Sequence, residues 1–209
     1  FSGLLNNEFE LLAGASYREF DLNSDGTIFD DLSRDIRMSE YGAYTQIGKK
    51  INGKAKLTGS MRYDKNENFE GRLTPRITGV WTVAPNKNIR ASYQTGFRNP
   101  TSQNQYIDIG VAGNSIRLIG GLPEILRKYN LLINKAYTDQ SYRQFLATGN
   151  PNDLRQYTFE PDGIQPERVQ AFELGFKGRF RENLLIDSYT YYNIYRNYIT
   201  GVEIYQNPT

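Results

Sequence analysis

The chain has 209 residues, and 25 lysines and arginines against 23 acids leave a net charge of +2 with no basic block, so nothing argues for a nucleic-acid partner. It has no cysteine and no histidine, which excludes a disulfide framework, thiolate chemistry, serine–histidine catalysis and His-ligated zinc within the chain. A mean hydropathy of -0.63 predicts no helical membrane span, which needs about 20 apolar residues, yet it leaves room for a transmembrane barrel whose lumen and loops are polar.

Sixteen tyrosines and 11 phenylalanines against one tryptophan suit an interface where one end of the ring is wet and the other greasy. The chain begins at Phe1 without a signal-peptide pattern, and it reads as an internal piece of a longer protein.

Period-two alternation predicts seven strands. The first runs over 9–20, with Phe9, Leu11, Ala13, Ala15 and Tyr17 on one face. The second covers 40–50 and turns through Ile51-Asn52-Gly53-Lys54, since Asn-Gly accepts the positive φ angles of a tight hairpin. The third, 54–63, sets Ala55, Leu57, Gly59, Met61 and Tyr63 against Lys54, Lys56, Thr58, Ser60 and Arg62. The fourth, 72–83, carries Leu73, Ile77, Trp81 and Val83 on its apolar side. Pro75 is a flaw in it, because proline removes a ladder hydrogen bond. The fifth, 88–98, places Ile89, Ala91, Tyr93, Thr95 and Phe97 opposite Arg90, Ser92, Gln94, Gly96 and Arg98.

A long segment, 99–165, separates these from the sixth strand, 169–180, which turns at Arg181-Glu182-Asn183 into the seventh, 184–200. Pro123 predicts one helix start, with Ile125, Leu126, Tyr129 and Leu132 sharing a face. Thr138 or Asp139 as N-cap and Gly149 as a stop predict another. These helices either pack on each other to cap a mouth or help to bind a cargo or a lid protein, such as a surface lipoprotein.

Connections after the first, third and fifth strands are long and those after the second, fourth and sixth are short. That asymmetry, with charged residues on nearly every polar face, predicts an all-β fold: an antiparallel transmembrane β-barrel segment. Tyr17, Tyr41, Tyr63, Phe97 and Phe172 then form one aromatic girdle, and Phe9, Trp81 and Phe180 the other. The structural rival is a secreted or surface β-sandwich that binds glycans.

Two stretches carry candidate chemistry. Asp21, Asn23, Asp25, Gly26 and Ile28 match the front of an EF-hand loop, so calcium is expected in 21–31, although Leu32 stands where a bidentate Glu belongs; an exposed Asp-Gly reversal explains the same residues. Arg98, Asn99, Gln103, Asn104, Gln105 and Tyr106 form a polar cluster where the fifth strand leaves the wall. They can hydrogen-bond a passing solute, or Arg98 can satisfy loop carbonyls and carboxylates such as Asp108. No phosphate loop and no placeable carboxylate pair supports an enzyme.

The stretches RASYQTGFRNPT, RLTPRITGVWTVAPNKNIR, IQPERVQAFELGFKGRF and NLLIDSYTYYNIYRNYI resemble the barrel of TonB-dependent outer-membrane receptors, closest to those with a carboxypeptidase-regulatory-like N-terminal extension. The resemblance implies about seven strands of a 22-stranded, plugged barrel embedded in outer-membrane lipid. It also implies a partner in the TonB complex, reached through a plug domain absent from this chain. The expected cargo is a scarce, bulky solute such as a siderophore, cobalamin, oligosaccharide or peptide. A passive porin is the alternative within barrels.

Overall fold

The computed structural model describes residues 2–6, 9–181 and 183–206. In chain order the elements are β1 (Ser2–Asn6), β2 (Phe9–Leu22), β3 (Ile36–Ile51), β4 (Ala55–Asn66), β5 (Arg72–Ala84), β6 (Lys87–Arg98), α1 (Ser102–Tyr106), β7 (Asp108–Val111) and β8 (Ile116–Ile119). They continue with α2 (Pro123–Lys128), β9 (Ala136–Thr138), α3 (Asp139–Thr148), a 3-10 turn at Pro151–Asp153, β10 (Gln156–Tyr157), β11 (Glu167–Phe180), β12 (Leu184–Arg196) and β13 (Ile204–Gln206). They fall into two compact units. A sheet unit comprises 1–21, 37–98 and 167–197, and a loop unit comprises 22–36, 99–166 and 198–209.

The sheet unit is one antiparallel sheet in the order β1-β2-β3-β4-β5-β6-β11-β12. Seven of its strands are the alternating ones, and β1 adds a short eighth. β3 starts four residues before the predicted position 40, and β12 stops at Arg196 instead of 200, where Asn197 takes a positive φ of 55°. The hairpin after β3 is built as its sequence demands, with Asn52 at φ 48° and Gly53 at φ 64°. Of the turn Arg181-Glu182-Asn183, Glu182 lies outside the described residues.

The register aligns one face across five strands. Gly59 pairs with Ile77, Ile77 with Tyr93, Tyr93 with Phe172 and Phe172 with Tyr192. On this face Ile77 is 54% exposed, Trp81 59% and Leu174 55%. Tyr41 and Tyr63 stand 6.5 Å apart, and Tyr93 and Phe172 4.8 Å apart. The opposite face carries ion pairs between strands: Lys56 to Glu10 at 2.7 Å, Arg90 to Glu173 at 3.4 Å and Lys177 to Asp187 at 3.0 Å. In water this much uncovered apolar surface would drive association, whereas in hydrocarbon it costs nothing.

Pro75 does leave a mark. The β4 ladder runs through it, from Met61↔Pro75 to Asp64↔Arg72, while the β5–β6 ladder ends at Arg76↔Gln94. A proline has no N–H to give, so the strand tolerates it by turning that position toward β6 and parting from β6 beyond it. The side chains along the parted edge include two buried polar atoms without a partner, Arg72 Nε and Thr95 Oγ1.

The loop unit holds most of the apolar core: Phe29, Ile36, Tyr106, Leu122, Ile125, Leu126, Leu131 and Ala136 are buried. Helix α2 begins with Pro123 at its first position and buries Ile125 and Leu126. Helix α3 runs from a Thr138 N-cap to Gly149, whose φ of 69° is the left-handed stop that glycine permits, and Tyr142 stacks on Tyr205 of β13 at 4.4 Å. Strands β10, β9 and β13 form a second sheet, and β7 and β8 form a hairpin.

Candidate functional site

The predicted polar cluster divides between the two units. Arg98, at the end of β6 in the sheet unit, pairs with Glu167, its register partner on β11, at 2.9 Å. The following residues wind into α1, whose N-cap Thr101 and Asn104 hydrogen-bond reciprocally. Gln105 is buried and donates from Nε2 to the Pro100 carbonyl at 2.6 Å, Tyr106 is buried, and Gln103 is exposed. The Asn104 and Gln105 side chains thus fix the backbone that follows the strand. The close approach is enforced from the other side by Gly120, where a Cβ would lie 2.1 Å from the Gln105 carbonyl oxygen. Gly120 and Gly121 donate to the carbonyls of Ile107 and Asn104 at 2.6 and 2.8 Å.

In the calcium-like loop, oxygen donors turn to the loop's own amides. The Asn23 side-chain oxygen accepts from the Asp25 amide at 3.1 Å. The Asp31 carboxylate accepts from the Ser24 amide, the Ser24 hydroxyl (3.0 Å) and the Gly26 amide (2.7 Å). Asp21 belongs to the sheet unit, where Arg37 approaches it at 3.9 Å. Among the described residues no three acidic, histidine or cysteine side chains are grouped to hold a metal. Asp25 at φ 50° and Gly26 at φ 71° form an Asp-Gly reversal.

The most organised chemistry in the loop unit was not singled out by the sequence. Asp108, whose side chain is 2% exposed, accepts from Arg117 Nε at 2.7 Å, Lys128 Nζ at 2.6 Å and the Tyr129 hydroxyl at 2.6 Å. Lys128 also reaches Asp30 at 2.7 Å, and Arg34 grips Glu124 through two bonds of 3.1 and 2.6 Å. A bridge between Phe29 and Ile107, with the Asp108 amide donating to the Ile28 carbonyl at 2.9 Å, aligns the two backbones. Segment 22–36 is therefore clasped to segment 99–166. A pocket of about 260 Å³ opens beside the clasp, lined by Asp30, Arg34, Tyr106, Asp108, Glu124 and Lys128 among others.

Charge balances inside the clasp: three carboxylates meet three cations. Burial pushes the Asp108 carboxyl up, but the bonds from Lys128, Tyr129 and Arg117 outweigh it and hold the group below the usual carboxylate range. Asp30 is lowered chiefly by its bond from Lys128, and Glu124 by its bond from Arg34. Lys128 is raised by Asp108 and then Asp30, and burial with the bond to Asp108 raises the Tyr129 phenol. Every acid is committed as an acceptor and every base as a donor. Such a site can exchange ionic partners with a solute, but it holds no activated base.

The family described as TonB dependent receptor-like, beta-barrel, matches residues 1–209. The fold is similar to the siderophore receptor PirA from Pseudomonas aeruginosa, with a TM-score of 0.60 and 15% identity over 93% of this chain and 30% of that one. PirA from Acinetobacter baumannii gives a TM-score of 0.57 and 11% identity, over 95% of this chain and 28% of that one. The FrpB iron transporter from Neisseria meningitidis (F5-1 variant) gives 0.50 and 14%, over 92% and 27%. This chain thus spans under a third of the solved chains it resembles. No curated protein matches the sequence.

Proposed function

The chain belongs to the TonB dependent receptor-like β-barrel family, one of outer-membrane receptors and transporters rather than enzymes, and from that premise we propose that it forms part of the wall and loops of an active importer. Its cargo would be a scarce, bulky solute such as a siderophore, cobalamin, oligosaccharide or peptide. Energy would come from the TonB complex through a plug domain, and a surface lipoprotein is a candidate partner of the loops.

The observation that carries this reading is the sheet itself. Its two faces suit two solvents: an uncovered aliphatic and aromatic face on one side, and inter-strand ion pairs on the other. A glycan-binding sandwich would have to cover the apolar face with a second sheet, and among the described residues of the sheet unit there is none. The loop unit adds a charge-lined pocket with its own core, a support for solute contacts that does not depend on disordered chain. Asn99, Gln103 and Tyr106 remain proposed contacts of the loop unit, and Arg98 of the end of β6; Asn104 and Gln105 would act by shaping the segment.

Growth on a solute as the sole source of its element, in cells with and without the gene, tests import. The reading expects the growth advantage to vanish when TonB is deleted. Uptake that survives TonB deletion would identify a passive pore instead.

A further inference from the structure

We propose that the pocket beside the clasp receives an α-amino-acid head group, an ammonium and a carboxylate borne on one carbon, by trading them into the Arg34–Glu124 pair. The inference rests on the importer reading above and deepens it, naming the chemistry that holds one end of a bulky cargo. Every residue that carries it belongs to the loop unit.

The charged groups around the pocket differ in how freely they can change partners. Asp108 is committed, because its side chain is almost wholly buried and takes three donors. Lys128 is committed with it. It bridges Asp108 and one oxygen of Asp30, and Ser33 Oγ donates to the other oxygen of Asp30 at 3.0 Å. Arg34 and Glu124 are placed differently. Both side chains are nearly half exposed, and an ion pair in contact with water contributes little, so little is lost when a solute parts it.

What can enter follows from charge. A lone anion on Arg34 leaves the Glu124 carboxylate without its cation, and a lone amine on Glu124 leaves the guanidinium without its anion. Either orphan works against binding. A solute carrying both signs leaves none: its carboxylate takes the two N–H bonds that Glu124 now accepts from Arg34, and its ammonium takes Glu124. The pair also sets the spacing. Its charges meet at 2.6 and 3.1 Å, so the incoming charges must be neighbours too, as they are on an α-amino acid.

Further observations narrow the class. Ile36 and Ile125, both buried, line the same pocket and offer contact to an aliphatic side chain. The volume of about 260 Å³ is below the roughly 300–1,000 Å³ that encloses a drug-sized molecule, so the pocket holds one end of a bulky solute. The loop unit has 11 acidic residues against seven basic ones, a net charge of −4, which disfavours phosphates and other polyanions on approach.

Saturation-transfer NMR on the full-length protein in detergent, with L-leucine as the probe, tests this. N-acetylleucine lacks the ammonium, leucinamide lacks the carboxylate, and 6-aminohexanoate holds the two apart. Leucine should bind saturably and each analogue about tenfold more weakly, the loss expected when one partly exposed charged group is left unmatched. γ-Glutamylleucine, which carries the same head on a larger body, should displace leucine. Arg34→Ala should abolish the preference for leucine over leucinamide, and Glu124→Gln the preference over N-acetylleucine. The analogue series in the wild type stands whatever the stability of the variants. Equal binding of leucine and N-acetylleucine overturns the proposal, as does tighter binding of inorganic phosphate than of leucine. So does failure of γ-glutamylleucine to displace leucine, or no saturation by leucine up to about 10 mM. The growth assay reads the other level. Uptake that is independent of TonB overturns the importer reading, whereas TonB-dependent uptake by a protein indifferent to the head group overturns only this inference.

Discussion

Replacing Asp108 with asparagine removes the acceptor on which the clasp converges. The carboxylate receives three donors at 2.6–2.7 Å, and its side chain is almost wholly buried. Asparagine keeps the volume but offers one acceptor oxygen and introduces two N–H donors facing Arg117, Lys128 and Tyr129. Removing one partner of a buried ion pair costs about 3–5 kcal/mol when the orphaned charge stays buried. Here Arg117 and Lys128 are 44% and 43% exposed, so water can recover much of their solvation. That lowers the expected loss to about 2–3 kcal/mol, the range for hydrogen bonds to a charged group left unmade. Local opening should become roughly 30- to 150-fold more frequent. Hydrogen–deuterium exchange reads it directly: amides of 22–36, α1, β7 and α2 should lose protection, while β4, β5 and β11 keep theirs. Equal protection in wild type and variant would refute the role given to Asp108. A loss spread evenly over the sheet would refute the separation of the two units.

The pairs around Asp108 also set a pH window. Folded Asp30, Asp108 and Glu124 titrate below their ordinary values of 3.8, 3.8 and 4.5, so their stabilisation is complete above those values and is lost as pH falls through the lower folded ones. Lys128 is raised above 10.5, so its share is complete below that pH and is lost only as pH climbs past it. Exchange protection of the loop unit should be flat from about pH 5 to 10 and fall on the acid side first. Arg34→Ala should cost under about 1 kcal/mol, because both partners are nearly half exposed, and its exchange pattern should match wild type. Gly120→Ala should cost about 1–3 kcal/mol or more, since its Cβ meets a carbonyl oxygen and not a movable side chain; loss of protection at α1 would show it. Ile77→Lys places a charge mid-strand on the apolar face and should weaken bilayer insertion by about 2–4 kcal/mol, whereas Arg90→Leu on the opposite face should insert normally; equal behaviour would refute the face assignment.

The strands were legible because a sheet between two solvents writes itself as strict alternation, and β4 to β6 obey it residue by residue. The two longer helices were legible because Pro123, Thr138 and Gly149 are local instructions. Helix α1 was not: five residues carry too little periodicity, and its capping pair of Thr101 and Asn104 lacks the Glu or Gln that marks the usual box. The clasp was illegible for a different reason. Lys128 and Asp30 are 98 residues apart, and Arg34 and Glu124 are 90 apart. Ion pairs at such separations leave no spacing to read. At 98–106 the chain leaves β6 and winds into α1, and much of the polarity of that stretch serves the backbone there.

Surface loops are usually the interchangeable parts of a barrel, free to lengthen or be swapped while the wall stays constant. The clasp withdraws that freedom from two of them at once. Segments 22–36 and 99–166 share carboxylates, cations and a backbone bridge, so a graft or insertion in one strands charges in the other. Diversification of the loop unit would have to proceed by paired change or be confined to stretches outside the clasp, such as 140–153. Library designs that randomise one loop alone should return mostly misfolded loop units, and those that carry both segments together should keep their architecture.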